Sequence, residues 1–368
     1  MAKEKNPRLG RAGGQAVLEG VMMRCSERYA TAVRRQDGTI ALKTGHVSSA
    51  RKKYKIANIP VIRGVVAFVE SLVFSYKTLS ESTEMLGVTD DIEPESKFEK
   101  WLDRKFGDRL MNAVMIFGSV LGVLLAVALF IFLPTLITSL IEKAAGGEER
   151  LGLWKNVISG VIKILIFIGY MLAVSCMKDI RRTFEYHGAE HKTIFCYEAG
   201  EELTVNNVKK FRRFHPRCGT SFIFVILIIS ILVSVIVNYF VNTWSNLGIQ
   251  FLTKLLLLPL IVGISFEFLM YAGKHENLFT RICSAPGLWM QRITTKEPDE
   301  GQIECAITAL KASMPEEFPD FKYVDPHADT GKENAEPDTE DAGADSEKGT
   351  DVTAPEPAGK KGNESDGL

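Results

Sequence analysis

Charge is missing from this sequence where a soluble protein would need it. Among its 368 residues, neither Leu110 to Ile141 nor Cys218 to Thr253 contains a single Asp, Glu, Lys or Arg. A hydrocarbon layer about 30 Å thick is crossed by roughly 20 apolar residues of helix, so each run is long enough to span it. Asn156 to Met177, broken only by Lys163, and Gln250 to Gly273, broken only by Lys254 and Glu267, also qualify. These runs exclude a chain of soluble globular domains. The fold class expected is mainly α, a polytopic helical membrane protein with about four transmembrane helices.

Other absences narrow the reading. The six cysteines form no Cys-x-x-Cys pair, which excludes a disulfide framework or a zinc ribbon. No apolar stretch follows the basic start MAKEKNPRLGRAGGQ, so no secretory signal is read and this end is expected in the cytoplasm. Internal repeats are also missing.

Lysine and arginine fix the orientation, because positive loops stay on the cytoplasmic side. Nine of them lie in Lys178 to Arg217, between the second and third apolar runs. The connection between the first and second runs balances Lys143, Arg150 and Lys155 against Glu142, Glu148 and Glu149. Four spans with both termini in the cytoplasm of a bacterium, in its inner membrane, satisfy every loop.

The chain divides accordingly. Residues 1–58 form a cytoplasmic segment in which Asp37-Gly38 marks the turn of a small β-hairpin between Ala30–Arg35 and Thr39–Lys43. Residues 59–109 hold an apolar helix and a charged linker, with a short helix over Glu95–Asp108. Arg63, Glu70 and Lys77 recur every seventh residue there and share one stripe. Two placements remain open, a helix in the membrane interface with its charges toward water and a re-entrant helix facing a polar cavity. Residues 110–273 form the membrane domain with its basic loop 178–217. Residues 274–326 form a cytoplasmic interfacial and helical segment, helical from Asp299 to Met314 behind an acidic first turn. Residues 327–368 form an acidic tail too poor in apolar residues to fold.

The chemistry concentrates in the basic loop. His187, Glu190 and His191 make the pattern H-x-x-E-H. Histidines four apart share a helix face and can grip one metal ion, and Glu190 is placed to act as general base on water. This is the residue order of inverzincin metallopeptidases. A catalytic zinc takes three protein ligands and keeps a fourth position open. The thirds on offer are His215, Cys218, Glu198 and the intramembrane Glu267, all on the cytoplasmic side by the topology above. A carboxylate within a span also has a structural use, as an ion pair with Arg63 or Lys274. A four-ligand set with His215 and Cys218 would instead be closed and structural. Gly188, inside the motif, weakens a helix unless another backbone approaches there. In the N-terminal stretch Gly13 to Arg24, the glycine spacing fits neither a P-loop nor G-x-G-x-x-G. It reads as a buried strand or loop in which Glu19 pairs with a base or supports a metal ligand.

With these motifs in hand, the chain resembles the YqhQ-type bacterial membrane proteins, a family of unknown function often labelled a predicted metal-dependent enzyme. GGQAVLEGVMMR at 13–24, EYHGAEHK at 185–192, HPRCGTSF at 215–222, GISFEF at 263–268 and LWMQRITTKEP at 288–298 carry the resemblance. It implies a set of residues worth testing: Glu19, Arg24, His187, Glu190, His191, His215, Cys218, Glu267, Gln291 and Glu297.

The function expected is a membrane-embedded metal-dependent hydrolase with Zn²⁺ or another divalent metal. Its substrate would be lipid-linked or a membrane-proximal peptide, met at the bilayer surface by one chain or a homodimer. Transport of an ion or small solute past Glu267 and Arg63 is the alternative, as is a zinc-stabilised scaffold. Nucleic acid is not an expected partner, because topology already accounts for the basic loop.

Overall fold

The computed structural model describes residues 8–49, 51, 54–86, 117–118, 120–146, 154–240, 247–274 and 277–325. The expected helix at Glu95–Asp108 and the acidic tail lie outside them.

The N-terminal segment is larger than one hairpin. Strands β1 (Ala12–Val17), β2 (Gly20–Cys25), β3 (Arg28–Arg34) and β4 (Ile40–His46) form an antiparallel meander in that order. The Asp37-Gly38 turn joins β3 to β4 as expected, with Gly38 at φ 85°. The stretch read as a buried strand or loop is a second hairpin. Its tight turn places Glu19 at φ 49°, a left-handed conformation that hairpins need but that glycine or asparagine usually supplies.

Alternation along β2 builds two cores, since successive side chains leave opposite faces. Val21 and Met23 face one layer, where they meet Tyr186, Ala189, Ile303 and Leu310. Met22 faces the other, with Val17, Tyr29 and Val33 against Phe74. Each fully buried side chain of this kind contributes roughly 1.5–3 kcal/mol.

The first layer is made by α4 (Lys178–Ala199) and α9 (Glu300–Ser313). The basic segment between the apolar runs is therefore the central helix of a packed extramembrane unit. Gly200 at φ 78° ends α4, followed by the short α5 (Val205–Lys209). Asp299 and Gln302 form a capping box at the start of α9, satisfying backbone N–H groups left open there.

The long apolar helices are α2 (Val120–Ala144, with a π-helical turn at Ala128–Phe132), α3 (Trp154–Ser175), α6 (Gly219–Phe240) and α7 (Leu247–Lys274). Three segments, Val120–Ala144, Trp154–Ser175 and Leu255–Ala272, are long and apolar enough to cross a membrane; α6 adds the shorter apolar stretch Phe222–Val237. Only 11–22% of the apolar windows is buried, so their side chains require hydrocarbon and not a protein core. The protein is a mainly α membrane protein carrying a small antiparallel sheet.

Helix α1 (Ile62–Met85) turns its charged stripe toward protein groups. Arg63 binds Glu267, Glu70 accepts from Ser49 at 3.0 Å, and Lys77 lies 4.0 Å from Glu81. Beside that stripe the helix exposes Val69, Leu72, Val73 and Tyr76. Gly64 lets α1 cross α7 closely, since a β-carbon there would stand 2.7 Å from that of Phe266.

Candidate metal centre

Three elements converge on one point. The 3.6-residue period of α4 puts His187 and His191 on one face, their ring centroids 4.4 Å apart. Cys218 immediately precedes α6. The ligand atoms of these three residues all lie within 4.8 Å of one another, and the His187 Nε2 is 3.2 Å from the Cys218 Sγ.

Backbone carbonyls hold both rings. His187 Nδ1 lies 2.8 Å from the Thr294 carbonyl oxygen at the end of α8 (Leu278–Thr294), and His191 Nδ1 lies 2.5 Å from that of Arg213. A carbonyl only accepts, so each Nδ1 carries the hydrogen and each Nε2 keeps a lone pair. Metal-bound histidines are held in this way. His191 Nε2 is buried and has no hydrogen-bond partner among the described residues.

Glu190 shares that condition. It is 5% exposed, and its Oε2 is buried without a partner. Burial pushes its carboxyl up to about 8, against the opposing influence of His187. Burial likewise lowers the His191 imidazole. All four side chains line one cavity of about 550 Å³, closed on another wall by Gly13, Gly14 and Gln15 of β1. Two nitrogens, a sulfur and an open side are a donor set that fits a divalent zinc-like ion.

The other expected ligands stand outside the group of three ligand atoms. His215 packs on Phe195, with ring centroids 4.7 Å apart, and its Nε2 is 4.0 Å from a Glu198 oxygen. Gln291 clamps its backbone on both sides, at 2.7 and 2.8 Å, and the His215 ring, 5.4 Å from that of His191, lines the same cavity without joining the three ligand atoms. Glu198 instead accepts from the Gly10 N–H at 2.8 Å and from Arg217. Glu267 is engaged by Arg63, whose Nε donates at 2.6 Å, and by the Val61 N–H at 3.3 Å. Its position on α7, where that helix crosses α1, places it in an ion pair and outside the cluster of three.

Glu19 accepts from Arg182 and, at 3.3 Å, from Tyr186, so it anchors the first hairpin to α4 as a base-paired carboxylate. Arg24 donates to the Ser26 carbonyl at 3.0 Å and sits over Phe74. Glu297 bridges the buried Lys192 and Arg213. The carbonyls of Thr294 and Arg213 were not foreseeable, because every residue has one and only the fold aims it.

The family described as "Protein of unknown function (DUF1385)" matches residues 59–316. The "Uncharacterized protein YqhQ" of Bacillus subtilis (strain 168) is 33% identical over 311 residues, covering 84% of this chain and 93% of that protein. No solved structure matches the chain.

Proposed function

Because the chain belongs to this family of proteins of unknown function, we propose from its own residues that it is a metal-dependent hydrolase embedded in the bacterial inner membrane. Its site opens at the cytoplasmic surface, as the nine basic residues of 178–217 support. One observation carries the reading: the buried His191 Nε2 and Glu190 Oε2 have no hydrogen-bond partner among the described residues, beside a group of metal-binding atoms. Each buried unsatisfied polar group costs about 1–3 kcal/mol. A cation and a water molecule would relieve both.

His187, His191 and Cys218 would hold the ion. A divalent metal held there would supply Lewis-acid polarisation of a scissile carbonyl and a more nucleophilic water. Glu190 takes a proton from the water as its oxygen bonds to the carbonyl carbon. It returns that proton to the leaving nitrogen or oxygen as the old bond breaks. The substrate class favoured is a membrane-proximal peptide, since the cavity reaches Gly219 and Ile223 at the start of an apolar helix; a lipid-linked acyl compound is the alternative.

Metal analysis of the purified protein is the first test. Near one equivalent of zinc is expected, falling strongly in His187→Ala. Less than about a tenth of an equivalent in the wild type would sink the reading.

The contact between Cys218 and His187 favours a second reading, a thiol nucleophile at a helix N-terminus with an imidazole base. A chelator abolishes turnover under the first reading. Under the second, alkylation of Cys218 abolishes it and chelation does not. Transport and scaffolding remain as roles without turnover, and both require that Glu190→Gln leaves the function intact.

A further inference from the structure

Among the described residues, strand β1 stands at the edge of the sheet, paired with β2 alone. In an antiparallel pair, every second residue bonds to the neighbour and those between turn their N–H and C=O outward. Among the described residues, no further backbone hydrogen bond reaches Ala12–Val17. Proteins usually protect such an edge with charge, proline, a bulge or a covering element. The sequence of β1, AGGQAV, has neither a charge nor a proline.

This edge borders the candidate metal centre. Residues 12–16 line the same cavity as His187, Glu190, His191 and Cys218. Gly13 and Gly14 are exposed, and a β-carbon built on Gly13 would meet nothing within 4 Å. One built on Gly14 would stand 3.1 Å from the Glu190 Cγ. The strand therefore offers bare backbone directly beside the carboxylate. Gln15 does not screen it, because its side chain is held away by Ser75, at 2.6 Å, and by Thr78.

We propose that β1 is a docking edge, on which an extended peptide segment of a protein substrate pairs as a fifth strand. The inference rests on the hydrolase reading for its chemistry. A chain paired at the usual strand spacing of about 4.8 Å passes along the cavity, which brings a main-chain amide past Glu190 and the trio. Recognition through backbone hydrogen bonds tolerates many sequences but demands an extended conformation. A helical segment must unwind before it binds.

Two probes separate this inference from the metal reading. Acetohydroxamate tests the metal alone, and an alternating Val/Thr hexapeptide hydroxamate tests metal and edge together. Hydrogen exchange of residues 12–17 is measured on zinc-loaded Glu190→Gln protein in lipid nanodiscs. The peptide is expected to slow exchange in β1 by at least about tenfold. Its twin, N-methylated at alternate amides, should not.

Acetohydroxamate binding without β1 protection overturns the docking edge and leaves the metal reading standing. Equal protection by the N-methylated twin also overturns it. β1 protection by the peptide without acetohydroxamate binding keeps the edge and removes the metal. Absence of both removes both.

Discussion

The carbonyl oxygen of Lys296 crosses α4 at Gly188 so closely that a β-carbon there would stand 2.0 Å from it. The approach is reinforced by the Lys296 N–H, which donates to the Phe184 carbonyl at 2.8 Å. It holds the end of α8 where the Thr294 carbonyl meets His187. A glycine that weakens its own helix thus admits the segment whose carbonyl orients the neighbouring His187 ring.

Gly188→Ala should therefore destabilise the protein by about 1–3 kcal/mol through overpacking. Helix propensity alone predicts the opposite sign, by about 1 kcal/mol. Zinc affinity should fall by roughly 10–100-fold, since the carbonyl that orients His187 is displaced. Thermal unfolding and a zinc titration measure the two effects.

Alanine at His187, His191 or Cys218 should strip the metal. Glu190→Gln should keep it and lower turnover by about 10²–10⁴-fold. In cobalt-loaded protein a thiolate-to-metal charge-transfer band is expected, and Cys218→Ser should remove it. A band that survives in Cys218→Ser would take the thiol out of the ligand set.

Glu267→Gln and Arg63→Met should each lower thermal stability in detergent while leaving bound zinc unchanged. The double variant should lose less than the sum of the two, because one ion pair is being removed. Loss of zinc in Glu267→Gln would return this carboxylate to the metal centre.

Glu198 supplies a dependence on pH. Burial alone would raise its carboxyl, but the nearby His215 imidazole, the hydrogen bond from the Gly10 N–H and the charge of Arg217 outweigh it and hold it below the ordinary 4.5. A depressed folded value means that the ionised form is preferred in the native state. Its contribution is complete above the ordinary carboxylate value and is lost as pH falls through the lower folded one. Between neutral and mildly acidic pH this contribution should hold constant, and below 4.5 the wild type should lose stability more steeply than Glu198→Gln. Thermal unfolding across an acid series checks the slope.

Much of this was legible before any coordinates. Uncharged runs declare membrane helices because hydrocarbon length and helical rise leave little choice. The pairing of His187 with His191 follows from a period of 3.6 residues, and the Asp37-Gly38 turn follows from backbone sterics. The hairpin closed at Glu19 was not legible as such, since its turn uses residues that adopt positive φ only under tertiary support.

The sequence by itself determined what is local: the apolar helices, the shared face of His187, Glu190 and His191, and the signs of charge around them. Tertiary structure alone decided the rest of the centre. Cys218, His215 and Glu267 are equally plausible ligands in a linear reading; the fold brings the Cys218 thiol to the two imidazoles, sets the His215 Nε2 beside Glu198, and pairs Glu267 with Arg63 where α7 crosses α1. Periodicity fixes which side chains share a helix face, whereas helix crossings fix which distant side chains meet it.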